Sequence, residues 1–377
     1  MEFDLLIKNG SVVDGSGRAR FHGDVGVKNG RIQEIGKITA PAQRTIDADG
    51  LIVAPGFIDG HTHMDAQVAW DPLGSCSCWH GVTTVFMGNC GFALAPCRPD
   101  DHEWYARCLE AVEDIPTEAM MSGIDWNWET FPEYFANVER LPKGINYGAY
   151  IGHSALRMYV MGKRALDQAA TEEDLAAMAF HVQQALKAGA IGFSSSRSPT
   201  HVTPDGTPVP SRIAEWRELE RLVSAMAELN AGVFQIGPDI ASGAHARIFY
   251  EELRKVCLNT GRRVMFSLAE TSQGEDPVSY QTQLDFIDQV VADGGNIWGQ
   301  STTRSINAIF SAKSYLPFDV LPSWKEIRDL PLGEQKAQFA NPEVRKRLIE
   351  DEAGMKPRDK VVQGGGAATT DPRKPDY

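Results

Sequence analysis

The sequence predicts an α/β fold, a (β/α)8-type TIM barrel that is incomplete, with about seven strands. Two observations lead to this prediction. From residue 51 onward, short β-branched apolar runs alternate with helical stretches, which is the pattern of a parallel sheet with helical crossovers. Before that point the pattern is strand and turn, with Asn9-Gly10 and Asn29-Gly30 as hairpin signals. A small β segment is therefore expected to precede the barrel.

The change of pattern divides the chain into three parts. Residues 1–50 form the N-terminal β part, and residues 51–352 form the barrel. Residues 353–377 lose periodicity and predict a poorly ordered tail. Residues 100–143 are an insertion within the barrel, and its aromatic side chains are expected to pack rather than to contact substrate. These aromatic residues are Trp104, Trp126, Trp128, Phe131 and Tyr134.

Seven barrel strands are predicted, the first of them within residues 51–63. The next six span residues 82–87, 146–151, 190–194, 232–236, 263–267 and 296–299. The predicted helices span residues 171–187, 214–229, 244–259, 278–292, 323–330 and 332–351. Thr171 and Asp174 form a capping box at the start of the first of these helices. No eighth strand is evident after Trp298, and the edge groups that a missing strand exposes favour association into a homo-oligomer.

Composition and charge limit the class of protein. Hydrophobic residues at 42% and charged residues at 23% are ordinary for a globular protein. The formal net charge of −13 argues against nucleic acid and anionic membranes as partners. The acidic N-terminus is unlike a signal peptide, and no apolar run is long enough for a membrane span. Six dispersed cysteines without a secretory signal predict reduced thiols and a cytoplasmic protein.

His61 and His63 follow the first barrel strand, in the stretch Pro-Gly-Phe-Ile-Asp-Gly-His-Thr-His at residues 55–63. Residues i and i+2 of an extended segment point the same way, so both imidazoles can face one point. Cys90 follows the second strand, where its thiolate can meet the two histidines. Imidazoles and thiolates are ligands that zinc prefers. Taken alone, such histidines are also found solvated, and such a cysteine is also found buried and inert.

Three longer motifs resemble one known family. Residues 55–63 resemble the first-strand metal motif of the amidohydrolase superfamily. Residues 82–92, Val-Thr-Thr-Val-Phe-Met-Gly-Asn-Cys-Gly-Phe, resemble its D-aminoacylase branch, the N-acyl-D-amino-acid deacylases. Gly-His-x-x-Leu-Arg at residues 152–157 resembles a motif of the same branch. The resemblance covers residues 1 to about 350 and implies that the N-terminal segment forms a small β-sandwich.

The resemblance also implies a chemistry. His61, His63 and Cys90 would bind zinc, one ion or two, for hydrolysis of a non-peptide C–N bond in an N-acylated amino acid or a related amide. Four residues after the third and fourth strands are weaker candidates for contact with substrate: His153, Arg157, Arg197 and His201. Arg197 or His201 could take the place of a tyrosine that relatives often have after strand four to polarise the scissile carbonyl. His153 and Arg157 have competing structural interpretations. His153 can equally fix its loop by hydrogen bonds, and a structural role is favoured for Arg157.

The sequence also departs from the family pattern. Members of this branch take two more histidine ligands from strands five and six, and a catalytic aspartate from strand eight. Here strand five offers Gln235, strand six offers Ser267, and no histidine follows His245. Without the family aspartate, the carboxylates that remain as candidates for the catalytic base are Asp65, Asp239 and Glu270.

The sequence therefore favours a metal-dependent amidohydrolase that resembles N-acyl-D-amino-acid deacylases. In this hypothesis, zinc held by His61, His63 and Cys90 lowers the pKa of water to about 7. The alternative is a catalytically impaired or truncated member that keeps the fold and has a non-catalytic role. A third hypothesis, a barrel lyase or isomerase without a metal, is supported by nothing in the sequence.

Overall fold

The computed structural model describes residues 2–113, 115–203, 207–239, 243–268, 278–302, 316, 318 and 321–353. These residues form two compact units. The first comprises the described residues up to Asp59 together with Ser75–Thr84, and the second comprises Gly60–Gly74 and the described residues from Val85 onward. The predicted tail, from residue 354 to its end, lies outside the described residues.

The first unit contains a five-stranded sheet in the order β3-β2-β1-β4, with β5 also paired to β1. Its strands are β1 (Phe3–Val12), β2 (Phe21–Lys28), β3 (Arg31–Gly36), β4 (Ala42–Asp47) and β5 (Ile52–Val53). β1, β2 and β3 pair antiparallel, whereas β4 and β5 lie parallel to β1. Asn29 and Gly30, with φ of 50° and 70°, make the predicted turn between β2 and β3.

The hairpin predicted at Asn9-Gly10 is wrong, because β1 continues through both residues. Asn9 has a φ of 61°, and the register of β1 against β2 shifts between Ile7 and Gly10, as in a β-bulge. The Asn9 backbone N–H donates to Asp24 Oδ1 at 2.9 Å, and its side-chain Nδ2 donates to Asp47 Oδ1 at 2.9 Å. The same tolerance of positive φ that suits asparagine to a turn here suits it to a bulge.

A second sheet has seven strands in the order β12-β11-β10-β9-β8-β7-β6. They are β6 (Phe57–Asp59), β7 (Val82–Met87), β8 (Asn146–Gly152), β9 (Gly192–Ser196), β10 (Val233–Gly237), β11 (Arg263–Ser267) and β12 (Ile297–Gln300). Every pair from β8 to β12 is parallel. The predicted α/β fold with about seven parallel strands is confirmed. In the part of the chain described after Gln300, the regular elements are helices.

Helices supply the crossovers between these strands. They are α1 (Ser75–Cys78), α2 (His102–Glu113), α3 (Thr117–Gly123), α4 (Phe131–Arg140), α5 (His153–Met161), α6 (Glu172–Lys187), α7 (Pro210–Ile213), α8 (Trp216–Glu228), α9 (Gly243–Thr260), α10 (Tyr280–Ala292), α11 (Pro322–Arg328), α12 (Leu332–Ala340) and α13 (Pro342–Ala353). None of the helices described here has the length and apolarity needed to cross a lipid bilayer.

Two of the predicted helix boundaries can be compared directly with the structure. The capping box at α6 is confirmed, because Asp174 N–H donates to Thr171 Oγ1 at 3.2 Å and Thr171 N–H donates to Asp174 Oδ2 at 3.0 Å. The single helix predicted over residues 332–351 is wrong. It divides into α12 and α13 at Pro342, which has no backbone N–H and is tolerated only in a first helical turn.

The core of the second unit lies between the parallel sheet and its helices. Phe193 of β9 and Phe234 of β10 are fully buried, and their rings stack with centroids 5.7 Å apart. Leu222 of α8 and Leu253 of α9 are also fully buried. Burial of a large apolar side chain contributes roughly 1.5–3 kcal/mol. This packing fixes the strands whose carboxyl ends carry polar side chains.

The aromatic insertion also packs as expected. Phe131 and Tyr134 of α4 are 2% exposed, and Trp128 just before it is 6% exposed. The Trp128 indole N–H donates to the carbonyl oxygen of Leu94 at 2.9 Å, which satisfies its one polar group. Trp104 and Trp126, the remaining two, are partly buried against the same core.

Candidate metal centre

Three side chains converge in the second unit. His61 and His63 follow β6, and Cys90 follows β7. One potential ligand atom from each residue lies within 4.8 Å of the other two, and the described part of the chain contains no second such group. The shortest approach joins His61 Nε2 and Cys90 Sγ, which are 3.3 Å apart. The structure thus brings together the three ligands that the sequence predicts.

His61 is oriented by a glutamine that the sequence analysis missed. Its Nδ1 lies 2.9 Å from Oε1 of Gln300, the last residue of β12. An amide oxygen only accepts, so Nδ1 carries the proton and Nε2 is left facing the Cys90 sulfur. A Cβ at Gly60 would come within 2.9 Å of the Gln300 amide nitrogen, so a larger residue before His61 would displace this side chain. A polar residue at the end of a predicted barrel strand is the signal that could have identified Gln300.

Cys90 sits in a strained turn, with a φ of 57° inside the short 3-10 segment Asn89–Gly91. Such a conformation costs a non-glycine residue about 1–3 kcal/mol and persists where its surroundings enforce it. The Cys90 N–H donates to Gln235 Oε1 at 2.7 Å, and Gln235 Nε2 lies 3.8 Å from Sγ. Burial raises the pKa of the Cys90 thiol to about 12, so a cation is needed to stabilise its thiolate.

His63 is held as a neutral imidazole. Burial first, and then the charges of His61 and His201, lower its pKa well below the ordinary value. Its ring meets that of Phe92 edge to face, with centroids 6.0 Å apart. Its Nδ1 is buried and finds no hydrogen-bond partner among the described residues. A buried imidazole nitrogen without a partner, beside a second imidazole and a thiol, fits a zinc ion.

Two carboxyl groups lie near the three ligands. Asp65 is 2% exposed, and its Oδ2 accepts the Gly88 N–H at 3.0 Å, while its Oδ1 is buried without a partner among the described residues. Burial raises the pKa of Asp65 to about 7. Glu113, which ends α2, is exposed by its accessible surface, yet desolvation by neighbouring atoms and the charge of Asp65 raise its pKa to about 7. The sequence analysis missed Glu113 because it belongs to the insertion.

The other two candidate bases lie elsewhere. Asp239 follows β10 and lines a cavity that contains none of the three metal ligands. Glu270 falls outside the described residues. The roles of Asp65, Asp239 and Glu270 as bases stay predictions.

His153 and Arg157 belong to a buried polar network. His153 Nδ1 lies 2.8 Å from Ser195 Oγ, and its Nε2 lies 2.7 Å from Glu218 Oε1. Arg157 forms an ion pair with the same Glu218 carboxylate and donates to the Gln168 carbonyl oxygen at 2.9 Å. Both side chains are fully buried. The contacts described for them are all to protein groups, so their contact with substrate stays a prediction.

His201 lies beside the metal ligands. Burial and then the charge of His61 lower its pKa to about 4, so it is neutral at physiological pH. Its Nδ1 lies 2.7 Å from Ser196 Oγ, and its ring contacts Phe92 with centroids 5.1 Å apart. Arg197 points elsewhere: its guanidinium lies 4.9 Å from the centroid of the Trp216 ring. Their roles in substrate binding also stay predictions.

Comparison with known proteins identifies the family. A model of the amidohydrolase family matches residues 44–340. The chain belongs to the amidohydrolase family. This amidohydrolase is 37% identical over 194 residues to the D-aminoacylase of Alcaligenes xylosoxydans xylosoxydans, which covers 51% of this chain and 37% of the relative. It is 36% identical over 231 residues to the N-acyl-D-glutamate deacylase of the same organism, which covers 61% of this chain and 43% of the relative.

A solved structure supports the same assignment. The amidohydrolase superposes with a TM-score of 0.67 on the N-acyl-D-glutamate deacylase of Bordetella bronchiseptica, complexed with zinc and a phosphonate inhibitor, at 29% identity. The match covers 79% of this chain and 58% of that chain. The predicted resemblance to the D-aminoacylase branch is confirmed. The chain spans less than half the length of the two curated relatives described above.

Proposed function

We propose that this amidohydrolase is metal-dependent and hydrolyses the amide bond of a small N-acylated amino acid or a related amide. One observation above all supports the proposal: the donor atoms of His61, His63 and Cys90 converge within 4.8 Å. They do so in a chain similar to a D-aminoacylase and to a deacylase solved with zinc. Zinc is therefore the proposed metal, as one ion or two.

Each protein group has a role in the proposal. The chemistry that zinc supplies in such sites is activation of water near neutral pH and polarisation of a carbonyl oxygen. Gln300 holds the His61 tautomer that presents Nε2, and Gln235 holds the Cys90 backbone. His63 is neutral, as a ligand must be. The Phe92 ring packs edge to face against His63.

A base must also accept a proton from the attacking water. We propose Asp65 for this role ahead of Asp239 and Glu270. It lies two residues after His63, and its Oδ1 accepts no hydrogen bond from the described residues. Replacement by asparagine keeps the shape of the side chain and removes its basicity, so Asp65→Asn should abolish hydrolysis while leaving zinc content unchanged.

The test of the function combines metal analysis with an activity assay. Purified protein is expected to contain one or two zinc ions per chain and to release free amino acids from N-acetyl-D-amino acids. Cys90→Ala should lose most of its zinc and all of its activity, because the thiolate ligand is removed. Cys76→Ala is the matched control, since Cys76 is an exposed free cysteine. Wild-type protein with neither zinc nor activity would exclude the proposal.

A second candidate is a family member that keeps the fold and the metal but has a non-catalytic role. The observation that favours it is that β10 and β11 offer Gln235 and Ser267 where the resemblance to the deacylase branch implies histidine ligands. Stoichiometric zinc without hydrolysis of any N-acyl amino acid would support this candidate. Association into a homo-oligomer and a cytoplasmic location stay predictions from the sequence.

A further inference from the structure

A cavity of about 210 Å³ lies apart from the three metal ligands. Its lining residues come from the segments that follow β9 and β10 and from the helices α7, α8 and α9. None of its lining residues is a proposed zinc ligand. The residues that the following argument uses are Arg197, Arg212, Trp216, Asp239, Ile248 and Phe249.

Arg197 lines this cavity, and only some of the hydrogen-bond donors of its guanidinium have a partner. Its Nη1 donates to the carbonyl oxygen of Arg212 at 2.8 Å, and its guanidinium stacks over Trp216. Its Nε and Nη2 are buried, and neither has a hydrogen-bond partner among the described residues. Buried donors of a charged group are normally paired, so two unpaired ones indicate that an acceptor is missing. The guanidinium fork matches a carboxylate, which can accept two parallel hydrogen bonds.

The charge, apolar surface and volume of the cavity further limit the kind of ligand that it can bind. Two arginines and one aspartate are among the lining residues, so these charged side chains carry a net positive charge. Ile248 and Phe249 add an apolar wall, and Ile248 is 58% exposed. The cavity is smaller than the roughly 300–1,000 Å³ of sites for drug-sized ligands. These properties fit a small anion with an apolar body better than a strongly hydrated phosphate.

We propose that this cavity binds the carboxylate of a small ligand through Arg197, with the apolar body of that ligand against Ile248 and Phe249. Nothing assigned to the metal centre requires this site, and the proposal holds whether or not the chain is an active hydrolase. The carboxylate can belong to the N-acyl amino acid that the metal centre is proposed to cleave, or to a separate ligand. A binding experiment distinguishes the two sources.

The probe is 4-methylpentanoate, a branched acid with no amide bond, titrated into the full chain by calorimetry. Its neutral analogue 4-methylpentanamide should bind at least tenfold more weakly, because it lacks the carboxylate. Arg197→Met, which keeps an apolar stem and removes the guanidinium, should also weaken binding of the acid at least tenfold. Arg217→Met is the matched control, because Arg217 lies on α8 but is 53% exposed and pairs with Glu172 and Glu215. It should bind the acid as the wild type does.

A second variant keeps the binding test interpretable if Arg197→Met does not fold. Ile248→Glu places a negative charge at an exposed position of the lining and should weaken binding of the acid at least tenfold with an unchanged melting temperature. Equal binding of acid and amide, or wild-type affinity in both variants, overturns the proposal. Displacement of the acid by N-acetyl-D-leucine from chelator-treated protein identifies the substrate as the source of the carboxylate. Simultaneous binding of both identifies a separate ligand.

Discussion

At the scale of single residues, two glutamines determine how the proposed zinc ligands are presented. Gln300 accepts from His61 Nδ1 at 2.9 Å, and Gln235 accepts from the Cys90 N–H at 2.7 Å. Neither glutamine belongs to the group of three donors. Groups that orient metal ligands in this way often influence metal affinity nearly as much as the ligands themselves.

Replacing Gln300 should therefore weaken metal binding without removing a ligand. In Gln300→Leu the His61 ring loses the acceptor that selects its tautomer, and zinc affinity should fall about 10–100-fold. Competition with a chromogenic chelator measures this change. Gln289→Leu, at an exposed position of α10, is the control and should bind zinc as the wild type does. Unchanged affinity in Gln300→Leu would show that the hydrogen bond does not position His61.

At the scale of elements, a buried network joins α5 to α8. The Glu218 carboxylate of α8 contacts both His153 and Arg157 of α5. All three side chains are 2% exposed or less. Removing one member of such a network leaves a buried charge without its partner, which costs more than the loss of an exposed ion pair. The network thus holds α5 against α8 and β9.

Glu218→Gln should lower the free energy of unfolding by about 3 kcal/mol, because it leaves the Arg157 charge buried and unpaired. Urea unfolding, followed by circular dichroism, measures the change. Glu215→Gln provides the comparison, since Glu215 lies just before the same helix and its ion pair with Arg217 is solvent-exposed. Its effect should stay below about 1 kcal/mol. Similar effects of the two substitutions would contradict the assigned role of the network.

The elements also show what could be predicted from sequence. Residues 82–87 and 263–267 are strands with the predicted bounds, because each is an apolar or β-branched run with a glycine or a turn near it. Asn9-Gly10 was predicted wrongly because a turn and a bulge use the same positive φ. The group of His61, His63 and Cys90 was predictable because each residue lies within four positions of the end of a strand. The pairing of Gln300 with His61 was not predictable, since the two residues lie 239 positions apart in the chain.

At the scale of the whole molecule, a metal ion that binds only the native state should stabilise it. A ligand at 100 times its dissociation constant adds about 2.7 kcal/mol to the free energy of unfolding. Thermal unfolding of the wild type should therefore shift to higher temperature when free zinc is raised to this level. Cys90→Ala should not respond at the same zinc concentration, which separates binding at this centre from weak binding elsewhere. An equal shift in both proteins would contradict a zinc site at Cys90.

The hydrogen bond between His61 and Gln300 has a further consequence, for the order of folding events. It joins the residues that follow the first strand of the parallel sheet to the end of its seventh strand, across 239 positions of the chain. Contacts of such long sequence separation form slowly, because a long stretch of chain must be ordered before they are made. The hydrogen bond that selects the His61 tautomer can therefore form only after β12 has docked. Tight metal uptake would then mark the completion of the sheet and would not nucleate its folding.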